Sequence, residues 1–491
     1  MVSAQVYVDG SFAVDGDGSG WGTPRNTLQG ALNQVATLPS GNRIIYVAAW
    51  EYQPTATETS DPRTARFLIP DDTELYGGFR NGDPSVDSRS GLFRQTVLSG
   101  ETDLLTIPTT TADNAYNVVV VEPGTQGVLI DGFTIRDGNA NGSSDPKYRS
   151  GAALHVTGNE VTVRNLFAEL NVASENGGAI AFDGGFTKAF RMYRSYLSSN
   201  RASDKGGALY LEGAAEAEEA GIHGVEPSWI FNSVFYRNLA GEQGVTAVEL
   251  ARNGGGAVFV ESLAGGPDLL GALGTSVPDV GLLVMNSIFN DNLCHGGGAA
   301  VRLENGGSAN SSLWLNCTMA YNQVLTNPPG VGGGGTVYTV VDSTLQPYFI
   351  NSIVGLTFDP TRTLDVIDAI AGSGSRSVFG NPLSWTLEAF GSDIFTVATG
   401  TYPTAGFANF DVPPGYQDAP GRDFRLSAGS ALIDAGVDPA LTLPFDYPDM
   451  NGNMVPFELT PYFYTTSPTS ARVVDLVPGG GTLDIGAYER L

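Results

Sequence analysis

A segment of the form Asn-Ser-apolar-apolar recurs along the chain, and this periodicity constrains the fold more than any other feature. It reads NSVF at 232, NSIF at 286, NCTM at 316 and NSIV at 351, with looser copies RNLF at 164 and RSYL at 194. Asparagines follow within a few residues, at Asn171, Asn200, Asn238, Asn292 and Asn322. A glycine pair and an alternating stretch come next: GGAIAFD from 177, GGALYLE from 206, GGAVFVE from 255, and the shifted copies GAAVRLE from 298 and GGTVYTV from 334.

The shortest repeat, Arg164 to Arg194, is 30 residues long, room for three short strands and three bends. The 3.6-residue apolar spacing of a helical repeat is absent. These features predict a coil of parallel strands, stacked so that equivalent residues lie about 4.8 Å apart. In such a stack the asparagines form a ladder of side-chain amides, and the glycine pairs supply positive φ at a corner. The expected fold is therefore all-β, a right-handed parallel β-helix solenoid.

A solenoid needs its ends covered, because an open coil exposes its core and an unpaired edge. After Asn26 the apolar positions Leu28, Ala31, Leu32 and Val35 follow helical spacing, which predicts an N-terminal capping helix across the first coil. A single β-helix domain over 1–491 is expected, with the cap and first coil in 1–60 and regular coils over 61–354. Insertions fall at 213–228, 241–253 and 262–280, irregular coils or loops at 355–425, and closing coils at 426–491.

Composition agrees with a chain that turns often. Glycine occupies 64 of 491 positions and charged residues make up only 16%. The acidic excess, 52 Asp and Glu against 25 Lys and Arg for a net charge of −27, argues against nucleic acid or anionic membranes as partners. No uninterrupted apolar run approaches the ~20 residues that span a bilayer. The opening MVSAQVYVDG lacks the charged-then-apolar pattern of a signal peptide. Cys294 and Cys317 do not make a metal site by spacing. Cys317 falls where neighbouring repeats carry serine, which favours a packed free thiol over a staple between coils.

The chain also resembles a known group. The opening YVDGSFAVDGDGSGWGTPRNTLQGAL, IIYVAAWEYQPT at 44, LYGGF at 75, TVLSGE at 96, DNAYNVVVV at 113, LIDGFTIRDGNANG at 129, the GGA-apolar repeats, SALIDAG at 430 and the final DIGAYE carry the likeness. Together they resemble bacterial secreted parallel β-helix proteins of the pectin-lyase-like group, and the repeat style is similar to chlamydial polymorphic outer-membrane passenger domains. Residues 355–425 match least. The resemblance implies the fold and a secreted or cell-surface setting, and it leaves the activity open: members of the group are presumed surface or adhesin-like proteins, and more distant relatives cleave polysaccharides.

The strands after the glycine pairs separate two faces, since successive side chains leave a strand on opposite sides. Ile180, Phe182, Leu209, Leu211, Val258, Val260, Val301, Leu303 and Val337 are read as pointing into the coil. One outward column reads His155, Ala181, Tyr210, Phe259, Arg302, Tyr338, and the next Thr157, Asp183, Glu212, Glu261, Glu304. Aromatic faces beside a row of carboxylates suggest a track for an extended sugar chain, with His155, Tyr210, Phe259 and Tyr338 as contact residues. The competing explanation is aromatics covering backbone and carboxylates facing water.

Two catalytic constellations share this face. In a lyase, Glu212, Glu261 and Glu304 hold calcium against a uronate while Arg302 takes the α-proton, a role similar to that of arginine in pectate lyases. In a glycosidase, Asp183 and Glu212 on adjacent coils serve as nucleophile and acid at a separation of about 5 Å. No cofactor is required, and calcium is the ion the sequence suggests: DGDGSG, with Asp15 and Asp17, and DMNGN, with Asp449, Asn451 and Asn453, place oxygen ligands on alternate residues, although ordinary turns also account for them. The expected function is binding of polysaccharide, or self-association in a surface layer, without catalysis. Cleavage of an acidic polysaccharide by a lyase, or by a hydrolase, is the alternative.

Overall fold

The computed structural model describes residues 4–41, 43–90, 93–102, 111–184, 190–213, 227–242, 246, 249, 252–262, 280–304, 311–326, 337–339, 346–350, 352–354, 370–372, 376–377, 388–390, 393–394, 416–418, 423–430, 442–448, 454–458, 464–467 and 470–473. In the regular region each turn of the chain adds one strand to each of three long faces. Val161–Arg164 joins face A, Phe167–Glu169 face B and Ile180–Gly184 face C, with the two-residue strand Val172–Ala173 between B and C. The next turn, Phe190–Tyr193, Tyr196–Ser198, Arg201–Ala202 and Leu209–Gly213, pairs with it strand for strand, in parallel. Face A is an 11-stranded sheet, faces B and C are 10-stranded, and the short strands form a 6-stranded sheet.

The alternation of the repeat accounts for the core. Ile180, Phe182, Leu209, Leu211, Val258, Val260, Val301, Leu303 and Val337 all lie in one continuous buried cluster, as read from the sequence. Inward residues stack rung on rung, and the Phe235 and Phe289 rings lie 4.7 Å apart with their planes nearly parallel.

The Asn-Ser dipeptide makes the corner between faces A and B. Asn165, Asn232, Asn286 and Asn316 adopt left-handed backbone with φ between 46° and 52°, a conformation that asparagine tolerates better than most residues. The serine that follows builds a ladder of its own. Ser195 N donates to Ser233 Oγ at 3.3 Å, Ser233 N to Ser287 Oγ at 3.2 Å, and Cys317 N to Ser352 Oγ at 3.1 Å. Cys317 thus replaces a serine in the stack, and it and Cys294 are buried free thiols.

After face B comes the predicted asparagine ladder. Asn171, Asn200, Asn238 and Asn292 each donate from Nδ2 to the next asparagine's Oδ1 at 2.9–3.0 Å, ending on Asn322. The same oxygens accept backbone N–H groups, so each amide satisfies the bend above it.

The helix Leu28–Val35 buries Leu28, Ala31, Leu32 and Val35, the four residues read from the periodicity, and packs on the strands Ala4–Val8, Arg43–Ala48 and Phe67–Leu68. Thr27 caps it, its Oγ1 accepting Gly30 N at 3.1 Å. Towards the other end, Ile370–Gly372, Glu388–Phe390 and Asp393–Ile394 add one more strand to faces C, A and B. From Tyr416 onward the described strands pair as antiparallel hairpins. The cores of the three insertions and the DIGAYE segment lie outside the described residues.

Candidate functional site

The outward row of face C exists in the register read from the sequence. His155 pairs with Ala181, Ala181 with Tyr210, Tyr210 with Phe259, Phe259 with Arg302, and Arg302 with Tyr338. It is not an exposed track, however. Tyr210 is 5% exposed, Phe259 0%, Arg302 2% and His155 6%. Long polar side chains roof the aromatics: Lys205 Nζ stands 4.9 Å from the Phe259 ring centroid, and the Arg302 guanidinium lies 5.5 Å from it on a neighbouring rung. The Tyr338 side chain lies outside the described residues.

Arg302 is committed within the protein. Its Nη1 donates to Asn253 O at 2.7 Å and its guanidinium pairs with Glu304, a buried arrangement unlike the freely presented base that the lyase mechanism needs. Burial holds His155 neutral, with its pKa lowered to about 4, and its Nδ1 has no hydrogen-bond partner among the described residues.

The carboxylate column follows the predicted order over one step and then slips. Asp183 pairs with Glu212, but a bulge between Leu211 and Glu212 sets Glu212 opposite Ser262, leaving Glu261 as the extra residue. Glu261 still reaches the same cluster. The Tyr210 hydroxyl lies 2.8 Å from Glu212 Oε2 and 2.6 Å from Glu261 Oε2, and Lys205 Nζ also donates to Glu261. Asp183 reaches solvent yet loses part of its hydration to surrounding protein, and that loss and the charge of Glu261 raise its pKa. Glu212 is also raised, first by burial and then by Asp183 and Glu261, against the hydrogen bond from Tyr210 and the charge of Lys205.

The acidic N-terminal stretch is a hydrogen-bonded turn. Asp15 pairs with Arg25 Nη1 at 2.8 Å and accepts Asn26 N at 3.0 Å. Asp17 accepts Ser19 N, Ser19 Oγ and Thr23 Oγ1, and these bonds hold its pKa down to about 2. The two carboxylates serve different partners, and no group of three His, Cys, Asp or Glu converges on a point among the described residues. Asp449, Asn451 and Asn453 lie outside those residues.

Face B carries an outward aromatic group that sequence reasoning missed. Phe167 pairs with Tyr196, and Tyr196 with Val234, while Tyr236 sits diagonally one coil on, its ring centroid 6.4 Å from that of Tyr196. Tyr196 and Tyr236 remain partly exposed. The exposed Arg94 stacks 4.5 Å from the Phe167 centroid and 5.9 Å from Tyr196, and the exposed Arg237 stacks 4.8 Å from Tyr236. Neither arginine forms an ion pair among the described residues. The available signal was a tyrosine just after the corner in RSYL at 194 and in NSVFY at 232.

The coil topology makes this chain a parallel β-helix. Among solved structures it is similar to pectate lyase Pel9A, at 12% identity over 100% of this chain and 97% of that one with a TM-score of 0.43. It is also similar to a pectin methylesterase from carrot, at 10% identity, 84% and 91% coverage and a TM-score of 0.35. A third, pectin methylesterase PemA from Erwinia chrysanthemi, shows 12% identity, 74% and 91% coverage and a TM-score of 0.36. These are likenesses of fold. No family model and no curated protein matches the chain. Among the described residues no helix is long and apolar enough to cross a membrane.

Proposed function

We propose that this chain is a secreted or cell-surface β-helix that binds polysaccharide without cleaving it, holding an extended sugar chain along face B. The observation that carries the reading is the pair of partly exposed rings, Tyr196 and Tyr236, on neighbouring coils, flanked by Arg94 and Arg237. Tyrosine offers an apolar ring to a sugar face and a hydroxyl to its polar edge. On a chain of net charge −27, two arginines without carboxylate partners among the described residues favour acidic polymers over neutral ones. Affinity electrophoresis against a panel of acidic and neutral polysaccharides tests this. The expected result is retardation that Tyr196→Ala and Tyr236→Ala each weaken with the fold intact, and unchanged retardation of both variants would remove the site.

A catalytic reading keeps one supporting observation. Asp183 and Glu212, adjacent and both raised in pKa, suit acid chemistry on a glycosidic bond better than the enclosed Arg302 suits proton abstraction. New reducing ends without unsaturated products, lost in Glu212→Gln, would favour it over binding alone.

A further inference from the structure

The contacts of one hydroxyl on face C require more protons than the residues carry if every carboxylate is ionised. Tyr210 has a single O–H, yet its oxygen lies within hydrogen-bonding distance of an oxygen on each of two carboxyl groups, Glu212 at 2.8 Å and Glu261 at 2.6 Å. One hydrogen serves one of them, and an ionised carboxylate held against the remaining lone pairs of the phenol would be repelled.

Lys205 fixes the direction. Its ammonium donates to Glu261, stabilising the negative charge there, so the tyrosine proton also goes to Glu261. The contact with Glu212 is then favourable only if Glu212 itself donates. We propose that Glu212 retains its proton at neutral pH and donates it to Tyr210, forming a relay from Glu212 through Tyr210 to Glu261 and Lys205 that clasps successive coils and releases when that proton is lost.

The groups facing the relay agree with this order. Asp183 approaches from the preceding coil and disfavours a charge on Glu212, whereas Lys205, from the corner before the Tyr210 strand, sits on Glu261. On the following coil Arg302 is taken up by Glu304 and Asn253 O, so no other cation among these groups is engaged with Glu212. Glu212 belongs to Leu209–Gly213 and Glu261 to Val258–Ser262, so losing the proton places unbalanced negative charge between two stacked strands. This inference does not rest on the glycan reading, since it concerns the protein alone.

The test compares two variants that each remove one carboxylate. In Glu212→Gln the amide donates to Tyr210 as the protonated acid does, whereas in Glu261→Gln the charge that Lys205 requires is gone. At about pH 8, Glu212→Gln is expected to raise the melting temperature by about 1–3 °C and Glu261→Gln to lower it by a similar amount. The Glu212→Gln gain should close towards about pH 5, where the unfolded wild-type chain also takes up this proton and its retention in the fold no longer costs stability. Infrared difference spectra should carry a protonated-carboxyl carbonyl band at neutral pH in the wild type that Glu212→Gln lacks. Shifts of the same sign in both variants, as relief of net charge alone would give, or a wild-type spectrum without that band, would overturn the proposal.

Discussion

Asn200 donates from its side-chain amide to Asn238 Oδ1 at 3.0 Å, while its backbone N–H donates to the same oxygen at 3.1 Å. One buried carbonyl oxygen thus satisfies two donors of the coil before it, and Asn238 in turn gives its own amide to Asn292 Oδ1 and to Leu197 O. Asn238→Ala strands these donors and acceptors where water cannot replace the partner. With each unsatisfied buried group costing about 1–3 kcal/mol, a loss of roughly 2–5 kcal/mol is expected by denaturant unfolding. Asn200→Ala combined with Asn238→Ala should cost less than the sum of the single changes, because the pair shares a bond. Strict additivity would mean that the rungs do not cooperate.

The corner glycines set a second limit. Gly206 has φ +64°, and a Cβ built there would stand 2.3 Å from Leu209 O, a backbone atom that cannot move without breaking face C. Gly206→Ala is therefore expected to destabilise by more than the about 1 kcal/mol typical of a glycine in an unfavourable but open place. A melting temperature within one degree of wild type would show that the coil can reshape that corner.

These two features were legible in the sequence for the same reason. A position that must be left-handed or must bridge to the next coil tolerates few residue types, so Gly206 and Asn238 recur at fixed offsets. The inward rows were legible because alternation alone places Leu209 and Leu211 on one side of a strand. The fate of the outward row was not. Alternation puts Tyr210 and Phe259 outside the coil, but the cover over Phe259 comes from Lys205 and from Arg302, itself held by Asn253 O, and their approach depends on packing between coils. The bulge that sets Glu212 against Ser262 shifts the register by one residue, too little for a repeat of variable length to reveal. The aromatic group of face B escaped because Tyr196 and Tyr236 occupy different offsets in their repeats and meet only diagonally.

Burial makes the two thiols inert. Cys294 and Cys317 are both enclosed, and loss of hydration pushes each pKa up to about 12, so neither supplies a thiolate near neutral pH. An aromatic disulfide reagent should leave the native protein unmodified over hours and label both cysteines once denaturant is added. Cys317→Ser should cost less than about 1 kcal/mol, because a hydroxyl at that rung restores the group that Ser287 and Ser352 carry on either side.

Glu58 gives the fold a sensitivity to acid. Burial by itself would raise its pKa, but hydrogen bonds from Lys147, Tyr148 and Arg66 overcome that and hold it at about 2. These partners tie the segment around Glu58 to the short helix Pro146–Arg149 and to Arg66, which directly precedes the face C strand Phe67–Leu68. A carboxylate whose folded pKa lies below its unfolded value contributes stability that is complete above the unfolded pKa, about 4.5 here, and is lost as pH falls through the folded one. Glu58→Gln should therefore melt several degrees below wild type at neutral pH, and the gap should narrow steadily from about pH 5 towards about pH 2. The opposite trend, a gap widening in acid, would mean that the carboxylate is held by something other than its charge. In that event the amide should restore most of the stability at neutral pH, since Gln keeps an oxygen acceptor for Arg66 and Lys147 while giving up the negative charge.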